Sequence, residues 1–184
     1  MIEIMSEQLL YLLASLPGRI REFASGEAVF RIGHPVRNIH VVRVGCIHLV
    51  RYQADGSVLV LQRAAAGDIL AEASLHSSRY HCDAVVEANS VTWVISRSEL
   101  SKHLQENPIL SDAWLQHLAR EMQRARLHAE ILSLKTVTAR LDAWIACHGP
   151  LLEKGRWRTI AQQIGVSPEA LYREISRRRE STSS

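Results

Sequence analysis

The stretch NPILSDAWLQHLAREMQRARLHAEILSL occupies residues 107–134 and contains no glycine. Its single proline, Pro108, lies at the entrance, where a helix does not need the missing N–H. Charged side chains occupy one face, and apolar side chains recur at spacings of three and four on the other: Leu110, Trp114, Leu118, Met122, Ala125 and Ala129, with Leu115 and Ala119 beside them. This periodicity predicts one amphipathic helix, about 40 Å long at a rise of about 1.5 Å per residue.

The apolar stripe of this helix needs a partner. A helix of such length between two regions of different composition is either a spacer or a dimer seam, and a spacer would leave its stripe in water. We therefore predict that two copies of the chain pair along a seam formed by Leu110, Trp114, Leu118, Met122 and Ala125. Packing of the stripe against its own chain is the alternative.

Before the long helix, the sequence changes from helical to β periodicity. Residues Glu3–Leu16 predict an amphipathic helix that ends at Pro17-Gly18, with apolar positions at Ile4, Leu9, Leu12, Leu13 and Leu16. From Phe23 to Ser96, glycines separate short β-rich runs at Ile39–Val44, Cys46–Gln53, Val58–Ala64, Asp83–Ala88 and Val91–Ile95. Asp55-Gly56 predicts a two-residue hairpin turn, because such a turn needs positive φ. Strands of this length and spacing predict a sandwich or jelly roll.

After the long helix, the sequence predicts a further helix at Thr136–Ala146 and then two short helices joined by a tight turn. The first short helix has an apolar face at Trp157, Ile160, Ala161 and Ile164. Gly165 follows its end, and Ser167 with Pro168 has the composition of a helix start. Leu171 and Ile175 then face inward on the second helix. This arrangement, with the small Ala161 where the helices would cross, is the helix-turn-helix pattern.

The outward face of the second short helix has the chemistry of a DNA reader. If Leu171 and Ile175 face the core, six residues near its beginning project outward: Glu169, Ala170, Tyr172, Arg173, Ser176 and Arg177. Arginine suits the O6 and N7 atoms of guanine, and glutamate suits the N4 group of cytosine. We predict phosphate contacts from Ser167 and Arg158 and from the following arginines. A solvated helix end, with its charges placed to suit the helix dipole, is the alternative.

Composition bounds the class of protein. The chain has 184 residues, of which 47% are hydrophobic and 22% charged, so it is expected to be globular. The start lacks a basic signal-peptide region and the longest uncharged run there is too short to span a bilayer, which predicts a cytoplasmic protein with no membrane partner. Three separated cysteines suit a reducing compartment and show no C-x-x-C metal spacing. Residues 107–184 carry twelve Lys or Arg against eight Asp or Glu, which is a mild basic excess.

Taken together, these features resemble the cyclic-AMP receptor protein/FNR (Crp/Fnr) family of bacterial transcription regulators. The resemblance covers a β-roll with Gly67-Asp68 before Glu72-Ala73-Ser74-Leu75, the long helix, and Ile160 to Arg173. It implies an α+β fold with a cyclic-nucleotide-binding-like sensory β-roll (1–106), a dimerisation helix (107–134) and a helix-turn-helix DNA-binding domain (135–184). It also implies a homodimer, palindromic double-stranded DNA and, for an activator, RNA polymerase as partners. By the resemblance, Glu169 and Arg173 are base-contacting positions.

The effector region departs from the family pattern. The resemblance places an effector pocket at Glu72, Ala73, Ser74, Arg79, Cys82 and Asp83. Members that bind cyclic nucleotides have glycine before the glutamate and an Arg-Ser or Arg-Thr pair, whereas here these positions are Ala71, Cys82 and Asp83. Because aspartate repels a phosphate, cyclic AMP is not expected, although Arg79 or a shifted loop offers a substitute. The sequence contains no cysteine cluster of the kind that holds an iron–sulfur centre, and no metal site is predicted. Haem ligation by a histidine or by His81-Cys82 is the alternative.

Two further departures concern DNA. Glu174 lies at a position that is usually apolar in the family, and the sequence stops soon after Ile175, where members commonly continue into a β-hairpin wing. The main hypothesis is a homodimeric DNA-binding regulator whose β-roll repositions two helix-turn-helix units. The second is a sensory or protein-interaction module of the same fold that has lost effective DNA binding. No nucleophile–base motif is legible, so an enzyme is not expected.

Overall fold

In the computed structural model, the chain divides into two compact units, residues 1–118 and 119–184. The structure describes the backbone of residues 2–56, 58–151 and 157–182, and the side chains of residues 7–56, 58–151 and 157–180. The boundary between the units falls inside the long helix, whereas the sequence suggested that this helix is a segment of its own. The side chain of Ile4, predicted to be apolar and inward, lies outside the described side chains.

The first unit is built on one antiparallel sheet. Among its described residues, six strands form this sheet: β1 (Arg19–Phe23), β2 (Ala28–Phe30), β3 (Asn38–Tyr52), β4 (Val58–Ala64), β5 (Ile69–Leu70) and β6 (Asp83–Ser96). The strand order is β1-β6-β3-β4, with β2 on β6 and β5 on β3. β3 and β6 pair along most of their length, and each takes different neighbours on its two halves. The predicted roll is therefore one continuous sheet rather than two separate ones.

The two long strands correct the sequence prediction, which divided each into two. β3 passes through Gly45, where the register with β6 shifts. Gly45 has a φ of 92°, and a Cβ atom there would lie 2.3 Å from Ser90 Oγ and 2.4 Å from Asn89 O. Only glycine allows the backbones to approach this closely with positive φ. The glycine is a bend within a strand, and not the end of one.

The hairpin predicted at Asp55-Gly56 is present, but its turn is longer than two residues. The last pair of β3 and β4 joins Tyr52 to Val58, so the connection between the two strands is longer than two residues. Within this loop, Gly56 has a φ of 84° and its N–H donates to the Gln53 carbonyl at 3.0 Å. The requirement for positive φ is therefore confirmed at the glycine.

Helices close the core of the first unit. α1 (Ile2–Ala14) and α2 (Arg97–Glu106) flank the sheet in sequence, and a short 3₁₀ turn follows β5 at Glu72–Ser74. The Ser96 hydroxyl caps α2 by accepting from Glu99 N–H at 3.2 Å. The core buries side chains from both helices, the sheet and the beginning of the long helix: Leu9, Leu13, Phe23, Phe30, Ile39, Ile47, Leu70, Ile95, Leu100, Leu110 and Trp114.

The long helix, α3, runs from Pro108 to Ser133 and confirms the predicted element. The Asn107 side chain begins it by accepting from Ile109 N–H at 3.0 Å and Leu110 N–H at 3.1 Å. Pro108 takes the first helical position, where no N–H is needed.

The second unit consists of the end of α3 with α4 (Val137–His148), α5 (Trp157–Gln163) and α6 (Pro168–Thr182). The Thr136 hydroxyl caps α4 by accepting from Ala139 N–H at 3.1 Å. Gly165, with a φ of 64°, turns the chain between α5 and α6. The four helices share a small core, formed by Ile131, Leu141, Trp144, Trp157, Ile160, Ala161, Ile164, Leu171 and Ile175.

Candidate functional site

The predicted effector pocket follows a residue in an unusual backbone conformation. Among the described residues, Ala71 is the one non-glycine residue with positive φ, at 71°. This left-handed conformation is the one that glycine adopts without strain. The geometry therefore fits the sequence comparison that placed Ala71 where other family members have glycine. The 3₁₀ turn Glu72–Ser74 follows directly, with Ser74 buried and Ala73 exposed.

Cys82 and Asp83 lie at the start of β6, and both are buried. Burial raises the pKa of the Cys82 thiol to about 11, and the carboxylates of Asp83 and Glu72 oppose ionisation further. The Asp83 carboxylate accepts from Ile32 N–H at 2.8 Å. The two residues therefore provide a neutral thiol and a carboxylate that is hydrogen-bonded to the backbone.

Arg79 does not supply the missing cation in the way the sequence suggested. Its guanidinium donates to the carbonyl of Gly33, and its backbone forms an isolated β-bridge with Pro35. The side chain is thus tied to the loop between β2 and β3.

Arg51 is a cation that sequence reasoning missed. Its guanidinium, on β3, donates to the His81 carbonyl at 3.0 Å and favours the thiolate form of Cys82 electrostatically. On the same loop, His81 Nδ1 lies 3.0 Å from the Ser74 hydroxyl. Only the sheet pairing brings Arg51 to this loop, 30 residues further along the chain, so no local motif could have indicated it.

A cleft of about 420 Å³ opens elsewhere in the first unit. It is lined by Val29, Phe30, His34, Pro35, Arg37, Asn38, His40 and Tyr80. Phe30 and Tyr80 stack with ring centroids 4.0 Å apart. His40 is 2% exposed, and burial lowers its pKa to about 4, with nearby Arg21 and Arg19 adding to the effect. His40, which burial keeps neutral at neutral pH, and the Phe30 and Tyr80 rings form uncharged walls, whereas Arg37 adds a positive charge to the lining.

The predicted dimer residues on α3 divide into two groups. Leu110 and Trp114 are 0% and 3% exposed, because they belong to the core of the first unit. This corrects the prediction for these two residues, which are not available to a second copy. Leu118 is half-buried, whereas Met122 and Ala125 are exposed.

The second unit presents the predicted DNA-reading residues at the beginning of α6. The Ser167 hydroxyl caps the helix by accepting from Ala170 N–H at 3.2 Å, so Ser167 is engaged by the helix itself. Leu171 is buried, whereas Glu169, Tyr172, Arg173 and Ser176 are exposed; Ala170 is half-buried. Hydrogen bonds with its own backbone N–H and with Ser167, and the charges of Arg158 and Arg173, lower the pKa of Glu169. The helix start therefore offers a carboxylate and a guanidinium one turn apart.

Arg177 and Arg178, which the sequence predicted as phosphate contacts, belong to an ion-pair network. The Arg177 guanidinium donates to Glu174 Oε2 at 2.7 Å and to Thr138 Oγ1 at 2.9 Å. Arg178 donates to Glu174 Oε1 at 2.8 Å and pairs with Asp142 at 2.7 Å. Burial alone would raise the pKa of Glu174, but hydrogen bonds from Arg178, Arg177 and Thr138 hold it below its usual value. This network joins α6 to α4; the Arg177 side chain is 65% exposed and so projects outward as predicted, with its guanidinium engaged in the network.

Aromatic and cation–π contacts join Trp157 of α5 to Tyr172 and Arg179 of α6. The rings of Trp157 and Tyr172 are tilted, with centroids 5.4 Å apart. The Arg179 guanidinium lies over the Trp157 ring at 5.3 Å, within cation–π range. These contacts place Tyr172 beside Arg173 on an exposed surface.

Comparison with known proteins agrees with this architecture. The sequence model of the family described as "Cyclic nucleotide-binding domain" matches residues 20–107. This part of the chain is therefore similar to the cyclic nucleotide-binding domain. The resemblance to the Crp/Fnr family that the sequence predicted is thereby confirmed, together with the structural similarities below. The search of curated proteins finds no match.

Solved structures show the same fold beyond the cyclic nucleotide-binding domain. FixK2 from Bradyrhizobium japonicum is 18% identical and has a TM-score of 0.70, with 91% of this chain and 87% of that chain covered. The c-di-GMP-responsive global regulator CLP of Xanthomonas campestris is 18% identical with a TM-score of 0.64, over 96% and 92% of the two chains. The sensor domain of the transcriptional regulator DNR from Pseudomonas aeruginosa is 25% identical with a TM-score of 0.54, over 72% and 89%.

The cyclic nucleotide-binding domain contains the Ala71–Asp83 region and the cleft, and it ends at the residue that caps α3. Within the described part of the chain, no helix is long and apolar enough to cross a membrane.

Proposed function

We propose that the protein is a homodimeric DNA-binding transcription regulator that reads palindromic double-stranded DNA with α6. The observation that carries the proposal is the pair of helices α5 and α6 joined by the turn at Gly165, which we interpret as a helix-turn-helix. Its inner face is closed by a core around Leu171, and the outer face presents Glu169 and Arg173. Similarity in fold to regulators such as FixK2 and CLP supports this proposal.

In this proposal, Arg173 reads a base. Its guanidinium is exposed in the second turn of α6, where a recognition helix enters the major groove. Arginine donates in bidentate fashion to O6 and N7 of guanine, and an ionised Glu169 accepts from N4 of cytosine. Arg158, exposed on α5, then contacts a phosphate and sets the register.

The dimer seam is formed by a revised set of α3 residues. Since Leu110 and Trp114 are buried in their own unit, we assign the seam to the apolar positions that follow the exposed Leu115 at alternating spacings of three and four: Leu118, Met122, Ala125, Ala129 and Leu132. That spacing is the heptad pattern of a coiled coil. A seam of this kind places two recognition helices about 34 Å apart, and small rotations at it switch DNA binding.

The effector of this regulator is not cyclic AMP. A cyclic phosphate needs charge-assisted donors, whereas the positions that would supply them hold the buried Cys82 thiol and the Asp83 carboxylate. The guanidinium of Arg79 is bonded to Gly33. These residues do not fit the nucleotide, so the signal is a different one. No iron–sulfur centre is part of the proposal, and haem held by a histidine remains the alternative for the cleft lined by His34 and His40.

The test is selection of bound duplexes from a random DNA pool by the full chain at low salt. The proposal expects a two-fold-symmetric motif, and it expects Arg173→Ala to lose discrimination at one base pair of each half-site. That loss should be about 1–3 kcal/mol. Arg43→Ala, which removes an exposed arginine of β3, is the matched control and should leave the motif unchanged. Recovery of no motif, or equal weakening on every sequence in Arg173→Ala, would contradict the assignment.

The dimer is tested separately, by the mass of the protein in solution. Met122→Arg places a charge on the seam and should shift the protein from dimer to monomer, whereas Gln123→Arg, its exposed neighbour, should not. A dimer that is unaffected by Met122→Arg would exclude this seam.

The Glu174 network favours a second candidate function: a sensory or protein-interaction module without effective DNA binding. Glu174 engages both Arg177 and Arg178, which would otherwise serve phosphates. This hypothesis expects a stable dimer with no affinity for any duplex at low salt. It also expects Glu174→Ala to create affinity for DNA, because the substitution releases the two arginines. The affinity of this variant should fall with salt concentration as expected for up to about two additional phosphate contacts. Neither candidate is an enzyme, and contact with RNA polymerase belongs only to the first, in the case of an activator.

A further inference from the structure

Three potential metal ligands meet on the outer surface of the cyclic nucleotide-binding domain. Cys46 and His48 lie on β3 and Glu87 on β6, and one ligating atom from each lies within 4.8 Å of the others. His48 Nε2 is 3.0 Å from Glu87 Oε2. Within the described part of the chain, this buried Nε2 atom has no hydrogen-bond partner of suitable geometry. The ring nitrogen therefore lies at ion-pair distance from the carboxylate and close to the thiol.

The sheet creates this cluster through a bulge. Cys46 and His48 are two residues apart on β3, so both side chains face away from the buried Ile47. Cys46 pairs with Ala88 and Ile47 pairs with Val86, which leaves Glu87 as an extra residue on β6. Such a bulge re-aims a side chain. Here the carboxylate lies on the same surface as the thiol and the imidazole.

Arg63, on β4, places a positive charge beside the Cys46 thiol and the Glu87 carboxylate. Its Nε donates to Cys46 Sγ at 3.2 Å, and a terminal nitrogen is 2.7 Å from Glu87 Oε2. Burial and a hydrogen bond to Glu87 raise the pKa of Cys46, and the hydrogen bond from Cys46 is the main cause that lowers the pKa of Glu87. The Arg63 side chain is 41% exposed, so solvent can replace these contacts if the guanidinium moves away.

We propose that Cys46, His48 and Glu87 bind a divalent transition-metal ion of the zinc class, and that Arg63 takes the place of its charge when the ion is absent. Sulfur, imidazole nitrogen and a single carboxylate form the donor set of such ions, whereas Mg²⁺ and Ca²⁺ prefer oxygen ligands. Three protein ligands leave a fourth tetrahedral position for water. As the ion binds, the Cys46 thiol releases its proton to solvent and Arg63 withdraws. The ion would link β3 to β6 and so give this domain a metal signal independent of the Ala71–Asp83 region.

The experiment is titration of the full chain with Co²⁺, whose bond to a thiolate gives a charge-transfer absorption. We expect one equivalent to produce that absorption, Zn²⁺ to remove it by competition, and excess Mg²⁺ to leave it unchanged. Cys46→Ser should abolish it, and His48→Ala or Glu87→Gln should each weaken Co²⁺ affinity at least about tenfold. Cys147→Ser, which removes the exposed cysteine of the second unit, is the control and should have no effect.

Arg63→Gln distinguishes a metal site from a structural ion-pair cluster. If the guanidinium competes with the ion, this variant binds Co²⁺ more tightly than the wild type, by several-fold. Weaker or unchanged binding in Arg63→Gln would overturn the proposal, as would an absorption that survives Cys46→Ser in a chain with an unchanged circular dichroism spectrum. Because the readout does not involve DNA, it stands or falls separately from the regulator function.

Discussion

Replacement of Arg140 should destabilise the second unit more than replacement of an exposed arginine. The Arg140 guanidinium donates four hydrogen bonds to backbone carbonyls. Two lie at the end of α3, from Nε to Leu134 at 2.8 Å and from a terminal nitrogen to Leu132 at 3.0 Å. The other two lie in the turn before α6, to Ile164 at 3.1 Å and Gly165 at 3.0 Å. These carbonyls terminate helices, where no intrahelical donor is available. One side chain therefore fixes the end of α3 to the turn.

The magnitude follows from the exposure of the four carbonyls. A hydrogen bond from a charged donor contributes about 1.5–3 kcal/mol when its loss leaves a buried partner unsatisfied. Gly165 and Leu132 are exposed, so water replaces the donor there, and the main loss comes from the two less accessible carbonyls of Leu134 and Ile164. We therefore expect Arg140→Ala to lower the free energy of unfolding by about 2–4 kcal/mol. A unit of residues 119–184 has about 3–10 kcal/mol in all.

Urea unfolding followed by tryptophan fluorescence measures this loss, because Trp144 and Trp157 both lie in the core of the second unit. Arg140→Lys should recover only part of the stability, since one ammonium does not reach four carbonyls. Arg126→Ala, on the exposed face of α3, is the control and should change the free energy of unfolding by less than about 0.5 kcal/mol. A change below about 1 kcal/mol in Arg140→Ala would refute the reasoning.

Three further predictions concern His40, Cys82 and Gly45 of the first unit. Burial lowers the pKa of His40 to about 4 from 6.5, so the unfolded chain binds a proton at a higher pH than the folded one. The contribution of neutral His40 to the free energy of unfolding is complete above about pH 6.5 and is lost as the pH falls towards 4. By linkage the loss is about 3 kcal/mol. Urea unfolding at a series of pH values measures it, and His40→Gln should not show it. Burial raises the pKa of Cys82 to about 11, so a thiol reagent at pH 8 should label the exposed Cys147 and spare Cys82, as peptide mass analysis would show. Gly45→Ala should lower the melting temperature strongly or prevent folding, because its Cβ would lie 2.3 Å from Ser90 Oγ at a φ that alanine disfavours; a variant that melts like the wild type would contradict the close approach.

The strands show which parts of the sheet can be predicted from local periodicity. β4 has the bounds that the sequence predicted, Val58–Ala64, because turn residues flank it on both sides. β3 was divided at Gly45, because a glycine with positive φ in a bulge has the same sequence signal as one in a turn. The edge strands β1, β2 and β5 were missed, since five residues or fewer give no measurable alternation.

The site residues were predictable where helix geometry alone decides exposure. Glu169 and Arg173 lie on the exposed face because Leu171 and Ile175 are buried, and this follows from the helical period. The state of Arg177 did not follow from it. Its partner Thr138 is 39 residues away on α4, and the buried Glu174 became intelligible only as the acceptor of two arginines.

The long helix was predicted correctly, but its apolar residues do not all lie on one exposed face. Its apolar positions were interpreted as one stripe with one partner, but positions that recur every four residues advance about 40° at each step around a helix of 3.6 residues per turn. Leu110 and Trp114 therefore face the core of the first unit, while Leu115 and Met122, seven residues apart, lie exposed at 62% and 50%. When an apolar pattern extends beyond one domain, the residues that contact the core of that domain have to be separated from those that lie beyond it. On α3 that division assigns the first turns to the core of the first unit and leaves the heptad from Leu115 onward for the proposed dimer seam.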